Sequence, residues 1–194
     1  MGARTLIERL FGTGSIAGIE VALKKVVQMQ HDGVIGHFAL GGAIGATFYL
    51  EPVETSDVDI FVSFQNEGML VDMHPIYTYL LKLGCTAQGE HIVIAGWPVQ
   101  FLAPSHGLMQ EALAEAIPFN VGGVKVHVFR AEHLAAIALK LGRPKDKIRL
   151  AQFATHGVMD MARFNTIVNA HGLAERWHQF EQHILRDENR REQE

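Results

Sequence analysis

The sequence predicts an α+β fold, a mixed β-sheet flanked by helices with a helical C-terminal portion, on three observations. Short apolar runs bounded by glycine and proline crowd residues 35–130, helical periodicity fills 131–187, and no repeat or long linker divides the 194 residues. The expectation is one domain over 1–194, with a core at 35–130, a helical portion at 131–187 and a charged, frayed tail at 188–194.

Each element has its own local reason. Thr5–Phe11 reads as a short helix, followed by Gly12, Gly14 and Gly18. From Ile19 to Met29 the apolar residues Ile19, Ala22, Leu23, Val26 and Val27 fall at helical spacing. Gly12-Thr13-Gly14-Ser15-Ile16-Ala17 spells a dinucleotide pattern, but no strand precedes it and no βαβ unit surrounds it, so it reads as a loop. Phe38-Ala39-Leu40 is a short strand, Gly41-Gly42 a turn and Ala43–Leu50 a compact helix. Val58–Phe64 is a near-continuous apolar strand, and the helix Pro75–Leu83 ends at Gly84. His91–Ala95 and Val99–Ala103 flank Gly96-Trp97-Pro98 as a hairpin. After a helix at Leu108–Ala116, Gly122-Gly123 joins strands Ile117–Val121 and Val124–Phe129. The remainder is helical: Ala131–Leu141 stopped by Gly142 and Pro144, then Lys145–His156, then Met159–Leu185 with breaks near Asn169 and Gly172.

Composition narrows the function classes. A charge of 17 − 21 = −4 excludes nucleic-acid binding driven by bulk charge, so any anionic ligand needs a local arrangement. The single Cys85 removes an intramolecular disulfide and any multi-cysteine metal site, and suits a reducing cytoplasm. No apolar run approaches the roughly 20 residues of a membrane span, and the N-terminal residues do not form a signal or myristoylation motif. The 11 histidines are scattered, without metal-ligand spacing.

The informative stretch is Leu40-Gly41-Gly42 followed by Ser56-Asp57-Val58-Asp59-Ile60. Residues two apart on a strand share a face, so Asp57 and Asp59 project together while Val58, Ile60 and Val62 enter the other side. Paired carboxylates call for a cation, and oxygen-only ligands select a hard one such as Mg²⁺, which binds one or two carboxylates together with phosphate oxygens. Gly41-Gly42 opens a helix where backbone N–H groups suit a phosphate. A metal clamp beside a phosphate cradle describes a site for a nucleoside triphosphate, ATP or another, with Mg²⁺. The plain alternatives are an aspartate turn before a buried strand and an ordinary glycine loop.

In these residues the chain resembles the DNA-polymerase-β-like nucleotidyltransferase superfamily, whose pattern is an apolar strand, Gly-Gly or Gly-Ser, a short helix and an Asp-x-Asp strand. Leu139-Lys140, Gly142-Arg143-Pro144-Lys145-Asp146 and Arg149 look like a segment found in small bacterial, abortive-infection-toxin-like members. The resemblance spans about residues 35–155 and implies a nucleotidyltransferase-like sheet. It implies Asp57 and Asp59 as metal and catalytic residues, Gly41, Gly42, Thr47, Arg143 and Lys145 at the phosphates, and Lys140 as a catalytic counter-charge. The implied reaction moves a nucleoside monophosphate to a hydroxyl of a protein, RNA or small molecule. The family's third carboxylate matches Gln100, whose amide oxygen is neutral; Glu90 and Glu132 are the acids considered as substitutes. A module that binds nucleotide or a protein partner without turnover is the alternative. His37 reads as structural beside an apolar strand, and Tyr77, Tyr79 and Trp97 lack the basic interleaving of a base-stacking platform.

Overall fold

Alternation between buried and half-exposed positions builds the sheet. The computed structural model describes residues 18–51, 55, 57–64, 72–105 and 107–191, of which 183–191 by backbone alone. Among them seven strands form one mixed sheet: β1 (Phe38–Leu40), β2 (Val58–Val62), β3 (Thr86–Gln88), β4 (His91–Ile94), β5 (Trp97–Leu102), β6 (Ile117–Val121) and β7 (Val124–Val128). Their spatial order is β3-β4-β5-β2-β1-β7-β6, with β2 parallel to β5 and β1 parallel to β7. The other neighbours are antiparallel. The helices are α1 (18–31), α2 (Gly42–Ala46), α3 (His74–Lys82), α4 (Gly107–Ala114), α5 (Ala131–Leu141), α6 (Pro144–Thr155), α7 (Met161–Ala170) and α8 (Ala174–Arg191).

Along β5 the odd positions Trp97, Val99 and Phe101 are buried and the even ones half-exposed, so its two faces are chemically distinct. Val58, Ile60 and Val62 of β2 and Ile92 and Ile94 of β4 join that buried set, together with Ile19, Leu23, Val26 and Met29 of α1 and Ile76 and Leu80 of α3. Each such side chain is stabilising by about 1.5–3 kcal/mol relative to exposure, which pins the register of β2 and leaves its aspartates no choice of face.

The chain divides into two compact units, Met1–Arg130 with the sheet and Ala131–Glu194 with α5–α8. In the second, Phe164 meets Trp177 edge to face at 4.9 Å, and Asp160 caps α7 by accepting from the Ala162 and Arg163 amides. Among the described residues no helix is long and apolar enough to cross a membrane.

Several expected boundaries move. The helix after the glycines ends at Ala46 rather than Leu50, because the next amides, Phe48 to Gly45 and Tyr49 to Ala46, reach back three residues instead of four. The β4–β5 turn needs only Ala95 and Gly96, both at positive φ (51° and 85°), so Trp97 and Pro98 enter the strand. Strand β3 was not expected: its three residues are all exposed at the sheet edge and show no alternation. Helix α8 runs to Arg191, past Leu185 and into the stretch expected to fray. The expected Thr5–Phe11 helix, the Gly12–Ala17 loop, Ser56 and residues 192–194 lie outside the described residues.

Candidate functional site

Asp57 immediately precedes β2 and Asp59 lies within it. Asp57 is anchored locally, its Oδ1 accepting from the Thr55 hydroxyl at 3.1 Å. Its Oδ2 lies 3.6 Å from His91 Nε2. Asp59 is half-buried and pairs in parallel register with Gln100 of β5, so the two side chains stand side by side on one face. The antiparallel register Ile92↔Val99, continued by one residue, brings His91 of β4 opposite Gln100. Asp59, Gln100 and His91 therefore form a row across three strands, with Asp57 one step along from Asp59. Gln100 Nε2 donates to Glu90 Oε2 at 3.4 Å, and the Glu90 carbonyl accepts from the Tyr77 hydroxyl at 3.0 Å, which ties the β3–β4 turn to α3.

The two glycines act differently. Gly42 has φ +54°, and a Cβ there would overlap Asp59 Oδ2. Only glycine combines that backbone with a carboxylate pressed against its Cα. Gly41 N–H donates to the Asp59 carbonyl at 3.1 Å, so this amide is committed to the strand junction. A Cβ on Gly41 would meet the Phe61 ring, which stacks on Phe129 at 4.7 Å.

His91 was not among the candidates from sequence, since its nearness to Asp57 is made by strand pairing. Its Nε2 is buried and has no hydrogen-bond partner among the described residues. The pair of carboxylates and the Gly42 cradle offer oxygen donors of the kind a hard divalent cation takes, while His91 Nε2 faces Asp57.

The other predicted residues have surroundings of their own. Thr47 is 2% exposed and its Oγ1 donates to the Ile44 carbonyl at 2.7 Å, closing α2, so its hydroxyl is left out of the phosphate contacts proposed below. Glu132 is buried in the second unit and accepts from the Asp160 amide at 2.8 Å, a structural use; Glu90 is the acid next to Gln100. Arg143, at the N-cap of α6, donates to both carboxylate oxygens of buried Asp146, at 2.5 and 3.2 Å. Lys140, in the last turn of α5, and Lys145, in the first turn of α6, are exposed. His37 Nε2 lies 3.1 Å from the Leu113 carbonyl and its ring contacts His127 edge-on at 4.7 Å; its own carbonyl accepts from the Ser63 amide, at the opposite end of β2 from the aspartates.

No protein-family model matches the chain, and no curated protein matches it in sequence. Solved structures do match by shape. A crystal structure of an antigenic nucleotidyltransferase-like protein from Paracoccidioides brasiliensis superposes with a TM-score of 0.52 at 15% identity, covering 71% of this chain and 75% of that one. A crystal structure of ANT(2")-Ia in complex with adenylyl-2"-tobramycin superposes with a TM-score of 0.50 at 12% identity, covering 81% of this chain and 97% of that one. The chain has a nucleotidyltransferase-like fold.

Proposed function

We propose that the chain is a nucleotidyltransferase that moves a nucleoside monophosphate from a triphosphate, with ATP expected, to a hydroxyl of an acceptor and releases pyrophosphate. The observation that carries this reading is the ordered pair of Gly42 and the Asp57/Asp59 row within a fold of that kind. Asp57 and Asp59 are the residues to hold Mg²⁺, and when bound the cation neutralises charge on the phosphates during an in-line displacement. Asp59 is held against Gly42, and Asp57 by Thr55, so neither carboxylate must reorganise when substrate enters. Phosphate is expected at the first turn of α2 from Gly42 onward. Catalysis in this reading is mostly positioning.

The direct experiment incubates the protein with labelled triphosphates, Mg²⁺ and a lysate, and follows label transfer and pyrophosphate. Asp57→Ala/Asp59→Ala is expected to lower both by at least about a hundredfold, since removing even outer partners of a metal ligand costs about 10–100-fold. Equal labelling by wild type and variant overturns the reading.

Gln100 favours a second reading, a module that binds nucleotide or a protein partner and turns over little. Beside Asp59 it supplies a neutral oxygen where a third acid would help hold an activating cation. Nucleotide-dependent thermal stabilisation without pyrophosphate release, and turnover gained in Gln100→Asp, distinguish it. Glu90 next to Gln100 supports the first reading, because it returns a carboxylate to that corner.

A further inference from the structure

We infer that the outward face of α6 is a docking surface for an acidic amphipathic helix of a partner protein. Two stripes run along this helix. Asp146, Leu150 and Phe153 are buried and form the face that packs inward. With about 3.6 residues per turn, Pro144, Ile148 and Ala151 stack on the opposite side, so a second apolar stripe points away from the core. Ile148 is 63% exposed, more than any other large apolar side chain among the described residues, and Pro144 is exposed with it. Neither core packing nor helix propensity accounts for a β-branched residue there, since lysine and glutamate are the better helix formers on a surface.

Charge frames the stripe. Lys145 and Lys147, both exposed, fall on its two flanks. The helix holds one acid, Asp146, and that carboxylate is met by Arg143 and Arg149. Over residues 140–149 five cations stand against one acid, a local charge of 5 − 1 = +4 in a chain of −4. A partner that complements this face needs carboxylates on either side of an apolar stripe of its own, which an acidic amphipathic helix carries. Its side chains leave grooves between successive turns, into which the ridge of Pro144, Ile148 and Ala151 fits. An extended peptide has less to gain, because it is held by a sheet edge and the second unit has no strand among its described residues. A nucleic-acid strand would use the lysines but not Ile148, and the aromatic side chain of α6, Phe153, is buried and offers no face to a base.

The test pans a random library of helix-stabilised peptides against the full chain, with Ile148→Ser as the counter-target, and titrates the labelled winners by fluorescence anisotropy. Peptides with glutamate or aspartate around apolar residues at i, i+3 and i+4 are expected, binding more weakly as salt is raised. Ile148→Ser and Lys147→Glu should each weaken them about tenfold or more, as for a central apolar anchor and a reversed charge. Both positions are exposed, so both variants are expected to keep a Tm close to that of wild type. Failure to enrich acidic peptides, or winners that bind Ile148→Ser as tightly as wild type, overturns the inference. A labelled oligouridine is the nucleic-acid arm: if it competes with the peptides and binds wild type and Ile148→Ser alike, the face is a phosphate surface and the partner helix falls. Sedimentation of the chain alone closes the test, since a dimer that Ile148→Ser dissolves would make a second copy the occupant and overturn the acidic helix.

Discussion

Asp146 in the second unit has a side chain 2% exposed, gripped by Arg143 at 2.5 Å and approached by Arg149 at 4.0 Å, whereas Asp57 in the first is 38% exposed and meets a threonine hydroxyl and an imidazole. One carboxylate has its charge met by guanidinium groups of its own helix; the other, among the described residues, meets a hydroxyl at 3.1 Å and an imidazole at 3.6 Å. An acid of the first kind is part of the architecture, because taking it out of water requires a built-in counter-charge. In the proposed reading an acid of the second kind is the one that meets the cation. Glu132 belongs with Asp146, its carboxylate spent on the Asp160 amide.

The comparison breaks most easily at Asp146. Asp146→Ala should lower unfolding free energy by about 3 kcal/mol, the lower end for a broken buried pair because Arg143 keeps contact with water. Asp57→Ala should change it by less than about 1 kcal/mol, as expected for a half-exposed group. Urea unfolding of both variants decides it: equal losses would mean that Asp57 is as architectural as Asp146.

A second contrast sets Gly42 against Gly84, both at positive φ, +54° and +77°. Around Gly84 nothing lies within 4 Å of a new Cβ, so Gly84→Ala carries only the left-handed backbone cost of about 1–2 kcal/mol. Gly42→Ala carries the same cost and must also displace the Asp59 carboxylate, so its stability loss should be larger by about 1 kcal/mol or more. Cation binding should drop in Gly42→Ala and stay unchanged in Gly84→Ala. Intact binding in Gly42→Ala would separate the glycine from the site.

Local features were the legible ones. Strands β2 and β5–β7 follow from apolar runs and glycine turns, and the Asp57/Asp59 spacing needs no knowledge of the rest of the chain to place both on one face. The Arg143–Asp146 pair is equally local, three residues apart at the start of α6, yet a run of basic residues reads as one group and hides which member is already bound. The burial of Thr47 is not legible in the sequence because it depends on where α2 stops, which a switch in hydrogen-bond spacing decides. His91 was out of reach for a different reason. Its approach to Asp57 passes through two strand pairings, β4 with β5 and β5 with β2, and depends on a turn two residues long where three seemed needed. The exposed edge strand β3 carries no pattern at all.

The smallest expected effect sharpens the contrast between histidines on the same sheet. His127 of β7 is pushed below its ordinary value by burial first, then by the neighbouring His37 and by Lys125. Its folded form thus binds protons less readily than the unfolded chain, whose histidines titrate near about 6.5. Stability from this group is complete above that value and declines as pH falls through it toward the lower folded value, because unfolding then takes up a proton. His127→Gln should therefore make the fall of Tm between pH 7 and pH 5 shallower than in wild type. Parallel slopes for wild type and His127→Gln would show that the ring contact with His37 carries no proton linkage, and would leave acid sensitivity to other groups.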